Sequence, residues 1–200
     1  SVGDKLAAAR KAKPIGYLCI LLWIASIVFI VVQALPQKIP ELKVGVMSGV
    51  NADIMKVAKK VALTDYGLNL KIVTFDDYVL PNTALNSGDI DANIFQHTPY
   101  LDAQIKARHY KLSPIAATFV YPLGFYSKHI KTIGQLKYHA VIAIPNDPSN
   151  EGRALRLLAL KHVIGLKKSA GLFGTPADIT SNPKDLQFKL LAVAQLPRVF

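Results

Sequence analysis

The chain has 200 residues, 24 Lys and Arg against 13 Asp and Glu for a net charge of +11, and 51% hydrophobic residues. That length holds one domain or two small lobes, and the composition is too apolar and aromatic for a disordered chain. The single cysteine excludes a disulfide framework.

Residues 1–14 form a basic segment in which Lys5, Arg10, Lys11 and Lys13 are opposed only by Asp4. In residues 15–35, 18 of 21 positions are apolar and none is charged, the exceptions being Gly16, Ser26 and Gln33. About 20 such residues cross a hydrocarbon core as a helix, and the preceding cations predict a cytoplasmic start. Secretory signals have apolar stretches of only about 7–15 residues, which favours a retained transmembrane anchor. Val32-Gln33-Ala34 leaves cleavage open. Cys19 reads as an apolar helix residue rather than a lipid site, because Leu18 precedes it and the apolar stretch follows it.

Pro36 and Pro40 make residues 36–40 a short stiff linker. Beyond it the pattern alternates: a strand at Leu42 to Met47, then a helix at Asn51 to Asp65 with Ile54, Val57, Ala58, Val61 and Ala62 on one face, stopped by Gly67. A strand at Leu70 to Phe75, a helical piece at Pro81 to Asn86, a strand at Ile90 to Phe95 and a helix at Pro99 to Arg108 follow. This βαβα order predicts a mainly parallel sheet that binds ligands beyond the carboxyl ends of its strands. A second section begins near Thr118, with extended segments at Ala117 to Tyr121 and Gly124 to Tyr126 and a helical turn at Ile133 to Leu136. A strand at Val141 to Ile144, an amphipathic helix at Asn150 to His162 and a last strand at Leu186 to Leu191 complete it.

Residues 36–200 carry 20 Lys and Arg against 12 Asp and Glu, a net +8. These cations are scattered, paired only at Lys59-Lys60 and Lys167-Lys168, with no aromatic stacking motif among them. They read as a solvated surface and not as a nucleic-acid interface.

Two constellations carry chemistry. Pro145-Asn146-Asp147-Pro148-Ser149-Asn150-Glu151-Gly152-Arg153 joins a strand to a helix, and small polar residues at a helix start with a nearby guanidinium receive an anion well, a carboxylate especially. Spacing alone leaves an equal alternative, with Ser149 or Asn150 an N-cap and Arg153 a surface residue. Phe95-Gln96-His97-Thr98-Pro99-Tyr100 places two rings and an imidazole at the end of the third strand, either as an apolar ligand wall with His97 donating or as core with a loop histidine. Asp76-Asp77 is expected to cap a helix, with Tyr78 a third aromatic beside it. The only Cys lies in the apolar stretch, no nucleophile-elbow, zinc-protease or phosphate-loop motif is present, and the five His lack ligand spacing. A binding protein without catalysis, metal or cofactor is therefore expected.

The chain resembles the methionine-binding lipoproteins that serve bacterial ABC importers. The resemblance rests on Lys43 to Gly49, Asp77 to Asn82, Gly88 to His97, Thr118 to Pro122, Ala143 to Asn150, Gly152 to Leu155 and Ala194 to Arg198, in order over most of 42–198. It implies an α/β, two-lobed periplasmic-binding-protein-like fold of mixed sheets flanked by helices, with lobes at 41–118 and 119–200 after the anchor. The implied cleft closes on methionine and delivers it to an ABC permease with its ATPase, at the bacterial inner membrane and facing the periplasm or cell exterior. Tyr78, Phe95, His97 and Tyr100 would line the thioether side, and Arg153 would pair with the ligand carboxylate, helped by Asn150.

The chain departs from the family pattern in three places. An apparent spanning anchor stands where the family has a lipoprotein signal with its Cys after the apolar stretch. Glu151 stands where an uncharged Gln is expected, and its charge would weaken the anion receiver unless it points to solvent. Members also run on past the Leu-Pro-Arg segment into a part that returns to the first lobe, so a fragment or a truncated product is expected. Two competing readings are a membrane-anchored sensing or scaffolding ectodomain and a non-functional remnant.

Overall fold

The computed structural model describes Tyr17, residues 20–31 and residues 39–199, in two units divided between Ile39 and Pro40. In the first unit residues 20–31 form a helix, α1, with exposed side chains, and the Ser26 hydroxyl donates to the Leu22 and Trp23 carbonyls of its own helix. Among the described residues no helix is long and apolar enough to cross a membrane. Both ends of the expected anchor, with Cys19, lie outside the described residues.

The second unit runs β1 (Glu41–Met47), α2 (Val50–Tyr66), β2 (Asn69–Phe75), α3 (Leu80–Ser87), β3 (Ala92–Ile94), α4 (Thr98–Arg108), β4 (Val141–Pro145), α5 (Pro148–Leu160), β5 (Gly165–Leu166), β6 (Ile179–Ser181) and β7 (Gln187–Leu191). The first sheet is parallel with order β2-β1-β3. As the central strand β1 buries Val44, Gly45 and Val46 in succession, the continuous apolar run of a strand covered on both faces. Met47 pairs with Phe75 and Val46 with Ile94, so all three strands end at one level. The segments that leave that edge carry Tyr78 after β2 and Phe95 and His97 after β3. Gly67 ends α2 as expected, taking φ 60° so that its own amide and that of Leu68 reach the Leu63 and Ala62 carbonyls.

A second parallel sheet pairs β4 with β7, and β5 pairs antiparallel with β6. Each described sheet has one sense, whereas mixed sheets were expected, because the parallel pairs are joined through helical crossovers. Two cores result. Val44, Val46, Ala52 and Met55 form one, while Ile144, Ala154, Leu155, Leu158, Ile164 and Leu186 form the other.

Three expectations change. The buried stripe of α2 is Ala52 and Met55 with Ala58 packed beside them, while Ile54, Val57 and Val61 are exposed. Apolar residues occupy more than one face of this helix, and the sheet receives the face with the small alanines, which allow close approach. Residues 109–127 form no regular element, so the two extended segments predicted there pair with no strand among the described residues. The helix predicted to open at Asn150 opens at Pro148, which moves Arg153 from the first turn to the second.

Candidate functional site

α3, α4 and α5 each open with proline at their first or second position, where its fixed φ suits the helix and its missing N–H costs nothing. Each opening sits just past a strand and aims a short polar segment at the end of its sheet. The N-cap of α3 is Val79, not an acidic residue, and Asp77 Oδ1 closes the turn ahead of it by accepting from the Val79 and Leu80 amides at 2.7 and 2.9 Å.

Tyr78, Phe95 and Tyr100 form a closed triangle of edge-to-face rings. Their centroids lie 5.8, 6.1 and 6.0 Å apart with interplanar angles of 72, 89 and 75°, the arrangement that ring quadrupoles favour. The Tyr100 hydroxyl donates to the Tyr78 carbonyl at 2.8 Å and locks the wall to the loop after β2. His97 sits at the N-cap of α4, 6.4 Å from the Tyr100 ring, and its buried Nε2 has no hydrogen-bond partner.

Behind this wall lies an amide cluster. Fully buried Asn82 donates through Nδ2 to Gln96 Oε1 at 2.7 Å, and its Oδ1 accepts from Gln96 Nε2 at 2.7 Å and Asn93 Nδ2 at 3.0 Å. Asn93 Nδ2 also donates to the Pro81 carbonyl. The cluster ties α3 to the segment that bears Phe95 and His97. Asn82→Ala should lower stability by about 1–3 kcal/mol, because the Gln96 and Asn93 amides lose their buried partner. Denaturant unfolding reads this, and a change under 0.5 kcal/mol would show that the cluster is not holding the wall.

At the start of α5 the N-cap is Asp147, not Ser149 or Asn150. Its Oδ1 accepts from the Asn150 amide and the Ser149 hydroxyl, both at 2.9 Å, and both its oxygens accept from Asn150 Nδ2. Asn150 Oδ1, so oriented, accepts from Arg153 Nη1 at 2.9 Å, while Nη2 reaches the Tyr121 carbonyl at 3.4 Å. Gly152 permits this turn to be covered: a Cβ there would run into the Leu172 carbonyl and the Gly174 amide.

The two groups meet electrically, and α4 packs against α5. Burial pushes the Tyr78 hydroxyl pKa up, with the Asp147 charge adding to the rise and Arg153 opposing it. Burial, then Arg153, holds His97 below its usual range, and Asp147 opposes. Burial also drives Tyr100 strongly upward. Both phenols and the imidazole are thus pushed toward their neutral forms. A depression of about 260 Å³ is lined by Leu123, Arg153, Arg156, Leu157 and Leu160 and by no residue of the wall.

Glu151 does not point to solvent; it is buried, and burial followed by the Asp147 charge raises its pKa. With the folded value above the unfolded one, ionisation penalises the fold at neutral pH. The penalty vanishes as pH falls below the ordinary value of 4.5, where both states are protonated. Glu151→Gln should therefore raise the melting temperature at pH 7 and leave it unchanged near pH 4. Equal melting at both pH values would refute this.

Sequence reasoning missed Asp147, the amide cluster and Tyr121. The first has a visible signal, since Asp147-Pro148-Ser149-Asn150 puts an acid before a proline with a hydroxyl donor two positions on and an amide donor three positions on. The other contacts join residues far apart in the chain and have no local signature.

The fold is that of the α/β periplasmic-binding proteins. Crystal structures with this fold include a methionine binding protein, MetQ, at 51% identity and TM-score 0.78, covering 79% of this chain and 64% of that one. A nutrient binding protein from Burkholderia cenocepacia bound to methionine gives 50% identity and TM-score 0.77, covering 79% and 67%. Residues 42–200 match the family described as NlpA lipoprotein, and the chain belongs to that family. The D-methionine-binding lipoprotein MetQ of Salmonella typhimurium is 54% identical over 157 residues, which are 78% of this chain and 58% of the relative. Lipoprotein 28 of Escherichia coli K12 is 51% identical over 158 residues, or 79% and 58%. The chain thus spans 58% of the length of these curated relatives.

Proposed function

We propose that the chain is the substrate-binding component of an ABC importer, takes methionine between lobes at 41–118 and 119–200, and delivers it to a permease driven by an ATPase. The observation that carries this reading is the aromatic triangle of Tyr78, Phe95 and Tyr100 within the electric field of Arg153. A thioether packs favourably against aromatic rings. A guanidinium whose Nη1 donates to Asn150 and whose Nη2 reaches the Tyr121 carbonyl still retains N–H donors for a carboxylate, and buried His97 Nε2 has a hydrogen-bonding capacity that no protein group uses. Nothing in this set activates a nucleophile, so the role is binding without catalysis. The names of the relatives, and the methionine held by the Burkholderia structure, support the ligand. The apolar run at 15–35, with exposed α1 inside it, supports an anchor in the inner membrane that holds the binding region on the periplasmic or outer side.

Titration calorimetry with L-methionine, D-methionine and methionyl dipeptides tests the reading. Heat with at least one of them is expected. Silence with all of them would refute it.

A further inference from the structure

Tyr121 lies in the irregular segment 109–127 and makes one contact with each half of the unit. Its hydroxyl donates to Asn51 Oδ1 at 2.7 Å, and its carbonyl accepts from Arg153 Nη2 at 3.4 Å. Asn51 is the second residue of α2, the helix that packs on β1 and β2. β1 in turn pairs with β3, which leads directly into Phe95 and His97. A continuous path therefore runs from the aromatic wall through β3, β1 and α2 to Tyr121, and from there to the guanidinium.

Among the described residues, Arg153 otherwise hydrogen-bonds only within its own helix. Asn150, three residues earlier on α5, takes Nη1, and Asp147 orients Asn150. Those contacts fix the guanidinium relative to α5, whose packing against α4 brings the two helices together without itself holding the guanidinium. We propose that Tyr121 is the positioning residue that sets the distance between the Arg153 guanidinium and the aromatic wall, and so selects ligands whose carboxylate and apolar end match that span. This rests on the reading of the site as an amino-acid receiver.

The proposal separates two parts of the ligand. Without the Tyr121–Asn51 bond the wall still takes the side chain, while the guanidinium loses its register with the wall. Methionine should bind less well to Tyr121→Phe, and methioninamide, which has no carboxylate, should bind as it does to the wild type. Tyr121→Phe keeps the ring, the backbone carbonyl and the packing, and Tyr121 is half exposed, so folding is retained.

Calorimetry of the full chain with methionine and methioninamide tests this. Loss of one hydrogen bond should weaken methionine by about fivefold in Tyr121→Phe, with methioninamide unchanged, narrowing the discrimination between them. Asn51→Ala, which removes the same bond from the other side, should do likewise. The double variant should be no worse than either single one, because the two changes delete one interaction. Unchanged methionine binding in Tyr121→Phe, equal weakening of both ligands, or additive effects in the double variant would overturn the role of Tyr121. Wild-type protein that binds neither ligand would overturn the methionine reading itself and this proposal with it, a distinct result.

Discussion

Arg153→Ala is expected to weaken methionine binding by between about tenfold and a hundredfold, the span of a charge-assisted hydrogen-bonded contact. The guanidinium is the cation that acts on both Tyr78 and His97, where Asp147 is the charge that opposes it. Truncation leaves the Asp147 charge at Tyr78 and His97 unopposed by Arg153. Arg153→Lys should fall between the two, since an ammonium restores the charge without the paired donors that match a carboxylate. Isothermal titration at matched salt measures all three proteins. Equal affinity in Arg153→Ala would remove the carboxylate from the site, whatever the aromatic rings do.

Gly152→Ala is expected to destabilise the protein by about 3 kcal/mol, lowering the melting temperature by roughly 6–12 °C. Alanine inside a helix ordinarily gains about 1 kcal/mol over glycine, so the sign alone is informative. The loss arises because the new methyl would occupy the place of the Leu172 carbonyl, and backbone cannot yield as the end of a side chain can. Moving residues 172–174 off α5 would also disturb the turn that carries Asn150 and Arg153, so ligand affinity should fall with stability. A variant that melts at or above the wild-type temperature would show that this segment is not packed against the helix.

Much of the fold is legible in the residues. Hydrophobic alternation and runs locate β1, β2, β4 and β7, and glycine and proline mark the ends of α2, α3 and α5. Burial was less legible. On α2 the residues at 54, 57 and 61 make as good a stripe as 52, 55 and 58, and only the sheet's need for close contact chooses between them. Segment 117–126 has strand chemistry with no described partner, and pairing is a property of two segments. At the site, the rings and the arginine were visible because aromatic and guanidinium groups at strand ends are few. Asp147 was passed over because a helix start was placed two residues too late. The amide cluster and Tyr121 act across 14 and 70 residues, beyond any local pattern.

The Asp147 carboxylate and the Arg153 guanidinium shift Tyr78 in opposite directions and shift His97 in opposite directions. At those two groups their fields therefore oppose each other. A pocket of that kind draws a simple anion such as phosphate or a short fatty acid less than a lone arginine would, because the aspartate opposes it. It favours a guest that carries both charges close together, with an uncharged tail. Selectivity for zwitterions over anions would then follow from a helix cap, a residue whose first task is to start α5.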